Sequence, residues 1–320
     1  MVSASASAPG KLILFGEHAV VHGQPAVAAS LSDLRIHALA TTRADGMVQI
    51  DMPDLKPRAI SFCVSAESIR LNQQSKSDHI EEKKLEFLSV PSKEDGEQIR
   101  ETLQSLCLSH DRLDLEEFSI TALTPLIYLL NLLVPMTLSP TTETHGLSVS
   151  VKSSNLPVGA GLGSSAAFGV ACSAALYKLR LLLLSSASSG IEKPAQRTCE
   201  KEDETCSFSE TMVAGKQPSS SQLDLINKFS FNSETLIHGT PSGIDNAVST
   251  YGGAIYFTKD IDNGTVSMDK FSTFPSLDII LSNTNVPRST KKLVANVKEL
   301  KDEFPYVIEG ILDGIGGVSR

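Results

Sequence analysis

The chain has 320 residues, of which 41% are hydrophobic and 20% are charged, and its formal net charge at pH 7 is −9. This length and composition predict a folded protein with room for two domains and exclude a chain that is disordered throughout. The excess of acidic residues argues against a nucleic-acid partner, because proteins that bind nucleic acids usually need an excess of Lys and Arg to neutralise the phosphates. Small phosphorylated ligands remain compatible, because backbone amides can bind them locally.

The cysteine pattern favours a reducing compartment, and the apolar stretches favour core helices. Five cysteines are present and no pair has C-x-x-C spacing, which disfavours a zinc site and a disulfide framework. The apolar stretches at 123–138 and 176–184 are interrupted by proline or too short to span a bilayer, so we predict core helices and no membrane insertion. We therefore expect a cytoplasmic location, with the peroxisome as the alternative.

The first half of the chain has several strand patterns. Strands are predicted where short apolar or alternating runs are bounded by turn residues, at 12–15, 35–41, 48–52 and 147–152. The run at 25–31 predicts a strand or a packed turn, and 44–46 predicts a turn. The polar segment 66–100 predicts surface helix and loop, and 115–138 has the spacing of a helix.

The second half begins with a small-residue helix predicted at 164–184. Residues 185–221 are rich in Ser, Glu, Lys and Thr and predict a disordered insertion. The remaining patterns predict helices at 223–231, 291–301 and 305–312, and strands at 254–257 and 277–281.

A glycine-rich segment, Pro157-Val158-Gly159-Ala160-Gly161-Leu162-Gly163-Ser164-Ser165, joins a predicted strand to a predicted helix. Glycines permit positive φ angles and a close approach of a ligand to the backbone. The free amides and the dipole of the helix start favour an anion there. The pattern is neither a Walker A loop nor a dinucleotide fingerprint. By itself it fits phosphate binding and a ligand-free tight turn equally well.

Two carboxylates follow in the second half of the chain. Asp245 comes after the predicted turn 241–243, at the start of a short helix, where it could orient or deprotonate a substrate hydroxyl. The alternative is that Asp245 only caps the helix, which spacing alone favours. Glu234 offers the oxygen ligand that Mg²⁺ prefers, although a solvated surface Glu is the commoner case.

The N-terminal segment contains a third group of polar residues. Lys11 stands at the start of a buried strand, where a cation could stabilise a phosphoryl group. Glu17 and His18 follow the strand and could hydrogen-bond a small polar substrate. The alternative for His18 is a structural histidine with satisfied hydrogen bonds.

Together, these segments resemble the mevalonate kinase family of the GHMP kinase superfamily. They read A-P-G-K-L-I-L-F-G-E-H-A-V-V-H-G from Ala8, P-V-G-A-G-L-G-S-S-A-A from Pro157 and H-G-T-P-S-G-I-D-N-A-V-S-T-Y-G-G from His238. The form G-E-H-A-V-V-H-G favours this family over the galactokinases and homoserine kinases. Segment 282–290 also resembles the first strand and loop of the family's second domain.

The resemblance implies an α+β two-domain GHMP kinase fold. A ribosomal-protein-S5-domain-2-like N-terminal domain would occupy 1–272, and the start of a ferredoxin-like C-terminal domain would occupy 276–320. The implied reaction is phosphorylation of the 5-hydroxyl of (R)-mevalonate by ATP and Mg²⁺, by direct in-line transfer. A homodimer is also implied.

The resemblance further implies a role for individual residues. Asp245 matches the catalytic carboxylate, Lys11 its cationic and nucleotide-contacting neighbour, and Ser165 and Glu234 the magnesium ligands. Nucleotide contacts match Ser154, Gly159, Ala160, Gly161, Leu162, Gly163, Ser164 and Ser165. Glu17, His18 and Thr290 match contacts to the substrate or its phosphate. An asparagine that the family places near adenine falls at about Asp54 here.

The family's third motif, a second glycine-rich loop of the K-x-T-G-A-G-G-G-G type, has no match in this sequence. We therefore expect an incomplete C-terminal domain and a chain of low stability and weak activity. Two other interpretations stay open. The chain could be a sister GHMP kinase acting on a sugar or an amino-acid alcohol, or a catalytically inactive member kept for binding or regulation.

Overall fold

The computed structural model describes most of the chain. The described residues are 1–17, 19–54, 59–71, 89–109, 117–134, 146–188, 218–239, 241–261, 263, 265–282 and 290–320. The predictions for His18 and for most of the insertion, at 189–217, lie outside them.

Seven strands of the described residues form one mixed sheet in the order β4-β3-β5-β2-β6-β7, with β1 paired to β2. The strands are β1 (Ser3–Phe15), β2 (Ala26–Arg43), β3 (Met47–Met52), β4 (Ile60–Ser65), β5 (Gly146–Ser154), β6 (Ala254–Lys259) and β7 (Val266–Lys270). Only β3 and β5 pair in parallel among them. The long strand β2 therefore holds β1, β5 and β6 together, which brings distant parts of the sequence to one sheet.

The described helices pack mainly on one face of this sheet. They are α1 (Lys93–Ser109), α2 (Glu117–Leu133), α3 (Ser164–Ser188), α4 (Ser220–His238), α5 (Ile244–Tyr251), α6 (Thr290–Glu303) and α7 (Pro305–Ser319). Short 3-10 turns lie at Ala19–His22 and Ala66–Ile69. The helix α4 begins with a capping box, in which the Ser219 and Gln222 side chains each accept the other's backbone N–H.

The helix α3 is the centre of the core. Its segment Ser164–Ser185 is apolar and long enough to cross a bilayer, but 78% of its most apolar window is buried inside the protein. Tyr177 of α3 packs edge-on against Phe229 of α4, with ring centroids 5.8 Å apart. These contacts make α3 a core helix, as the sequence predicts. The free thiol Cys172 also lies buried on this helix.

A smaller apolar cluster fixes the short helix α5. Ile244, Ala247 and Val248 of α5 pack against Ala28 of β2 and Phe257 of β6. Because Asp245 lies between these buried positions, the cluster also determines where its carboxylate points.

The structure corrects several sequence predictions. The predicted strand at 277–281 is wrong: the segment is irregular, and Ile280 is 97% exposed. A strand needs a neighbour to pair with, and no described strand lies beside this segment. The predicted insertion at 185–221 is too wide, because α3 continues to Ser188 and α4 begins at Ser220. The strand β4 was not predicted, although it alternates buried and exposed residues.

Candidate functional site

The glycine-rich segment joins the end of β5 to the start of α3. Gly159, Gly161 and Gly163 have φ angles of 77°, 79° and 70°, a region that other residues rarely adopt. A Cβ added at Gly159 or Gly161 would meet no atom within 4 Å. Those two glycines therefore leave the backbone open on the outside of the loop, where a phosphate could approach the amides at the helix start.

Gly163 has a different role from the other two glycines. A Cβ at this position would lie 2.6 Å from Cγ of Lys11, so the Lys11 side chain passes directly over it. The backbone N–H of Lys11 also donates to the carbonyl of Leu162, at 2.9 Å. The end of the glycine loop therefore contacts β1 at Lys11 and fixes the position of the lysine side chain.

Lys11 forms an ion pair with Asp245, with 3.3 Å between Nζ and Oδ1. Lys11 is only 7% exposed, and the Asp245 side chain is 30% exposed. Gly243, with a φ of 80°, is the N-cap of α5, and Ser242 Oγ accepts the Ile244 N–H at 3.4 Å. The carboxylate of Asp245 therefore faces Lys11, which brings together two residues 234 positions apart at the mouth of the glycine loop.

Glu234 lies on α4 beside this pair and is 8% exposed, so it is not a solvated surface residue. Burial, and secondarily the negative charge of Asp245, raise the pKa of its carboxyl to about 7. Its Oε2 is buried and has no hydrogen-bond partner among the described residues. The other oxygen, Oε1, lies 4.0 Å from His238 Nε2. A buried carboxylate oxygen without a partner is suited to a cation.

The helix α3, which begins with Ser164 and Ser165, packs on α4, which bears Glu234. Gly169 lies one turn after Ser165, and a Cβ there would be 3.0 Å from Ser230 Oγ and 3.1 Å from Ser233 Oγ. Among the described residues, no group of three or more His, Cys, Asp or Glu could hold a metal ion. One carboxylate and one hydroxyl next to a phosphate site nevertheless fit Mg²⁺, which commonly binds through few protein ligands and the phosphates of a nucleotide.

An apolar cavity of about 320 Å³ opens beside the glycine loop. It is lined by Ile36, Met52, Asp54, Thr121, Ala122, Pro125, Val151, Lys152, Ser153, Val158, Gly159, Ser164, Ser165, Phe168, Ile237 and His238. The start of α3 therefore forms part of its wall, and the cavity as a whole is mainly apolar and of a size that suits a nucleoside. The carboxylate of Asp54 accepts the Ser153 N–H at 2.8 Å.

Not all the predicted residues converge on this site. Ser153, rather than the predicted Ser154, lines the cavity, and Ser154 is exposed. The period of two in β5 could have shown this, since Val151 and Ser153 share a face. Glu17 is exposed in the turn after β1. Thr290 is the first residue of α6, and only its backbone is described.

Several residues around this site have no signal in the local sequence pattern. Thr121 and Pro125 of α2 line the cavity, and Asn246, which is fully buried, donates to Ser230 Oγ at 2.7 Å. No local pattern marks the α2 residues, because they reach the cavity only through helix packing. Asn246 directly follows Asp245, so its position within the segment that begins at His238 could have indicated that it lies near the site.

The amino-acid sequence of the chain is similar to those of one family of known proteins. The family described as GHMP kinases N terminal domain matches residues 129–191. The mevalonate kinases of Mus musculus and Homo sapiens are 36% and 33% identical, over 98% of this chain and 67% of each relative. That of Saccharomyces cerevisiae is 35% identical over 97% of this chain and 61% of its own length. The chain thus spans about two thirds of the length of these relatives.

The crystal structure of L. major mevalonate kinase in complex with R-mevalonate has a TM-score of 0.50 and 21% identity, covering 98% of this chain and 66% of that one. This likeness shows the GHMP kinase fold that the sequence predicts. The domain limits at 272 and 276 remain predictions. On the sequence identities to the curated relatives, the chain belongs to the mevalonate kinase family of GHMP kinases.

Proposed function

We propose that this chain transfers the γ-phosphoryl group of ATP to the 5-hydroxyl of (R)-mevalonate. The observation that carries the proposal is the Lys11–Asp245 ion pair, 3.3 Å long, at the mouth of an open glycine loop. A kinase needs a phosphate cradle, a carboxylate for the acceptor hydroxyl and a cation between them. The site supplies all three from segments that are far apart in the sequence.

The nucleotide would bind with its base in the apolar cavity and its phosphates over the loop. Gly159, Ser164 and Ser165 line the cavity, so a nucleoside bound there would have the start of α3 within reach of its phosphates. The amides and dipole of that helix end stabilise negative charge without having to reorganise. Asp54 also lines this cavity, and its carboxylate offers acceptor oxygens that would suit an amino group such as the one on adenine.

Asp245 would receive the acceptor hydroxyl. Its carboxylate orients the hydroxyl for in-line attack and can accept the proton as the new phosphate ester forms. Lys11, whose side chain packs against Gly163 and whose Nζ pairs with Asp245, stabilises the charge that develops on the transferring group. Since Lys11 is buried and paired, its position is fixed before any ligand arrives, which reduces the cost of organising the site.

Glu234 and Ser165 would hold Mg²⁺. The partnerless Oε2 of Glu234 and the hydroxyl at the start of α3 are the oxygen donors that fit it. When bound, the ion would neutralise charge on the nucleotide phosphates. The raised pKa of Glu234 implies that binding a cation displaces a proton from this carboxyl at neutral pH.

A coupled ADP-release assay of the 320-residue chain tests the proposal. With ATP and Mg²⁺, we expect turnover with (R)-mevalonate and none with galactose or homoserine. Turnover with one of the latter and not with mevalonate would show that the chain is a sister GHMP kinase. ATP binding without any turnover would support an inactive binding form. Turnover as fast as that of a longer relative would contradict the expectation of weak activity.

The homodimer and the cytoplasmic location also remain proposals, supported by the family resemblance and by the cysteine pattern. Light scattering at micromolar concentration tests the homodimer, and a monomer mass would contradict it. Imaging of the tagged chain in cells tests the cytoplasmic location, and peroxisomal spots would contradict it.

A further inference from the structure

A second cavity, of about 210 Å³, lies on the face of the sheet that points away from the core. Residues of β1, β2 and β5 line it, and they include Ser5, Ser7, His37, Leu39, Ser150 and Lys152. Ala4, Ile36 and Val151, which alternate with these residues along the strands, belong to the core on the opposite face. None of the six lining residues belongs to the glycine loop or to the Lys11–Asp245 pair.

The strand register places the polar residues of this cavity side by side. Ser7 is opposite His37, and His37 is opposite Lys152. The next row on the same face consists of Ser5, Leu39 and Ser150. Directly opposite residues of antiparallel strands have Cβ atoms about 4.5–5.5 Å apart. A hydroxyl, an imidazole and an ammonium group therefore lie within reach of one small ligand.

Arg35 orients the hydroxyl of Ser7 from the side of the cavity. Its Nε donates to Ser7 Oγ at 3.0 Å, and its Nη2 donates to the Ser7 carbonyl at 3.1 Å. Because Ser7 Oγ already accepts a hydrogen bond from a cation, its O–H remains available as a donor. The row thus offers donors to a ligand that brings acceptor oxygens.

The basic side chains around the cavity have no acidic partner in the described part of the chain. Neither Arg35, His37 nor Lys152 forms an ion pair with a described carboxylate. Asp51 of β3 lies on the same sheet face, but both of its carboxylate oxygens already accept hydrogen bonds from other side chains. Although the chain as a whole has a net charge of −9, this cavity therefore favours negative charge.

We propose that this cavity binds a small oxyanion, namely the phosphate group of inorganic phosphate or of a small phosphomonoester. Lys152 pairs with its charge, and Ser7, His37 and Ser150 donate to its oxygens. Burial, and secondarily the charge of Arg35, lower the pKa of His37, so its neutral ring has one N–H to donate. Sites for drug-sized ligands measure about 300–1,000 Å³, so this smaller cavity suits a ligand of few atoms.

Calorimetric titration of the 320-residue chain with inorganic phosphate, at constant ionic strength, tests the proposal. We expect a Kd on the order of 1 mM, weakened about tenfold in Lys152→Met, which is equivalent to about 1.4 kcal/mol. His37→Leu should weaken binding about threefold, because it removes a neutral donor. Lys259→Met removes an exposed lysine from β6 of the same sheet, so it is the matched control and should keep the parent's Kd. If Lys152→Met does not fold, His37→Leu decides.

Phosphate bound at the glycine loop must be distinguished from phosphate bound here, because Lys152 also lines the larger cavity. Histidine ring signals in NMR spectra report the two places separately, since His37 lines this cavity and His238 lines the other. The His37 signal, identified by its loss in His37→Leu, should shift with phosphate and saturate at the calorimetric Kd. A shift of the His238 signal alone would overturn the proposal, as would equal Kd values in Lys152→Met and Lys259→Met.

Glycerol 3-phosphate, titrated in the same way, distinguishes the two sources of the phosphate group. Tighter binding of this ester than of inorganic phosphate would support a phosphomonoester as the ligand, and the reverse order would support the free ion. Absence of binding by both compounds at about 20 mM would refute the proposal. No turnover is measured in these titrations, so a failure of the proposed kinase function would leave their outcome unchanged.

Discussion

At the scale of single residues, the carboxyl group of Glu234 has a raised pKa that makes stability depend on pH near neutrality. Its pKa is raised from 4.5 to about 7, first by burial and then by the charge of Asp245. The folded state therefore binds this proton more tightly than the unfolded state does. The free energy of unfolding contributed by Glu234 is fully present below pH 4.5 and is lost as the pH rises through about 7.

Replacing this group removes the pH dependence. Without Mg²⁺, Glu234→Gln should be more stable than the parent at pH 8, by about 3 kcal/mol at most, and nearly equal to it at pH 4.5. Urea unfolding at both pH values measures this difference. Glu299→Gln, at an exposed position of α6, is the control and should leave the profile unchanged. If the difference in free energy of unfolding between Glu234→Gln and the parent were the same at both pH values, the carboxyl of Glu234 would not be buried as described.

Gly163 is the residue that places the lysine. In Gly163→Ala, the new Cβ would collide with Lys11 Cγ, and a φ of 70° would be strained as well. Gly252 also has a positive φ, of 68°, but it has open space around it, so Gly252→Ala strains the backbone without meeting a neighbour. Each variant should lose about 1–3 kcal/mol of stability from backbone strain.

Only the first of these variants should lose activity. We expect Gly163→Ala to lower kcat by about 100-fold, because Lys11 leaves the transferring group. Gly252→Ala should retain the kcat of the parent. Steady-state kinetics at saturating ATP provide the comparison, and similar kcat values in the two variants would refute the role of Gly163.

At the scale of elements, local sequence patterns correctly predicted the elements that are contiguous in the sequence. The strand β5, the glycine loop and α3 are contiguous, so alternation and small residues at 146–188 were enough to place them. The false strand at 277–281 has the same apolar character as true strands, but pairing depends on distant neighbours that no local pattern specifies. The cavity wall on α2 was missed for the same reason, since Thr121 reaches it only through tertiary packing.

The packing of α5 on α4 leads to a prediction at this scale. Asn246 Nδ2 donates to Ser230 Oγ at 2.7 Å inside the protein, which ties the helix that bears Asp245 to the helix that bears Glu234. Asn246→Ala and Ser230→Ala should each destabilise the protein by about 1–3 kcal/mol. The double variant should show a coupling of about 1 kcal/mol in a denaturation cycle. Simple additivity would show that the two helices are positioned by other contacts.

At the scale of the whole molecule, the fold brings segments that are far apart in the sequence to one site. β1 bears Lys11, the β5–α3 loop forms the proposed phosphate cradle, α4 bears Glu234 and α5 bears Asp245. The chain as a whole is acidic, with a net charge of −9, so the proposed nucleotide binding would depend on the local amides of this loop and on the buried Lys11. The family resemblance named these residues, and the structure shows why they meet.

The central claim is that Asp245 acts on the acceptor hydroxyl next to a nucleotide held by the loop, and it is tested by single-turnover phosphoryl transfer from ATP to mevalonate in Asp245→Asn. We predict a fall in rate of about 100-fold or more, with the Kd for ATP within about twofold of the parent. Asp269→Asn, an exposed position on β7, is the matched control and should react like the parent. An Asp245→Asn chain that transfers phosphate as fast as the parent would contradict the account.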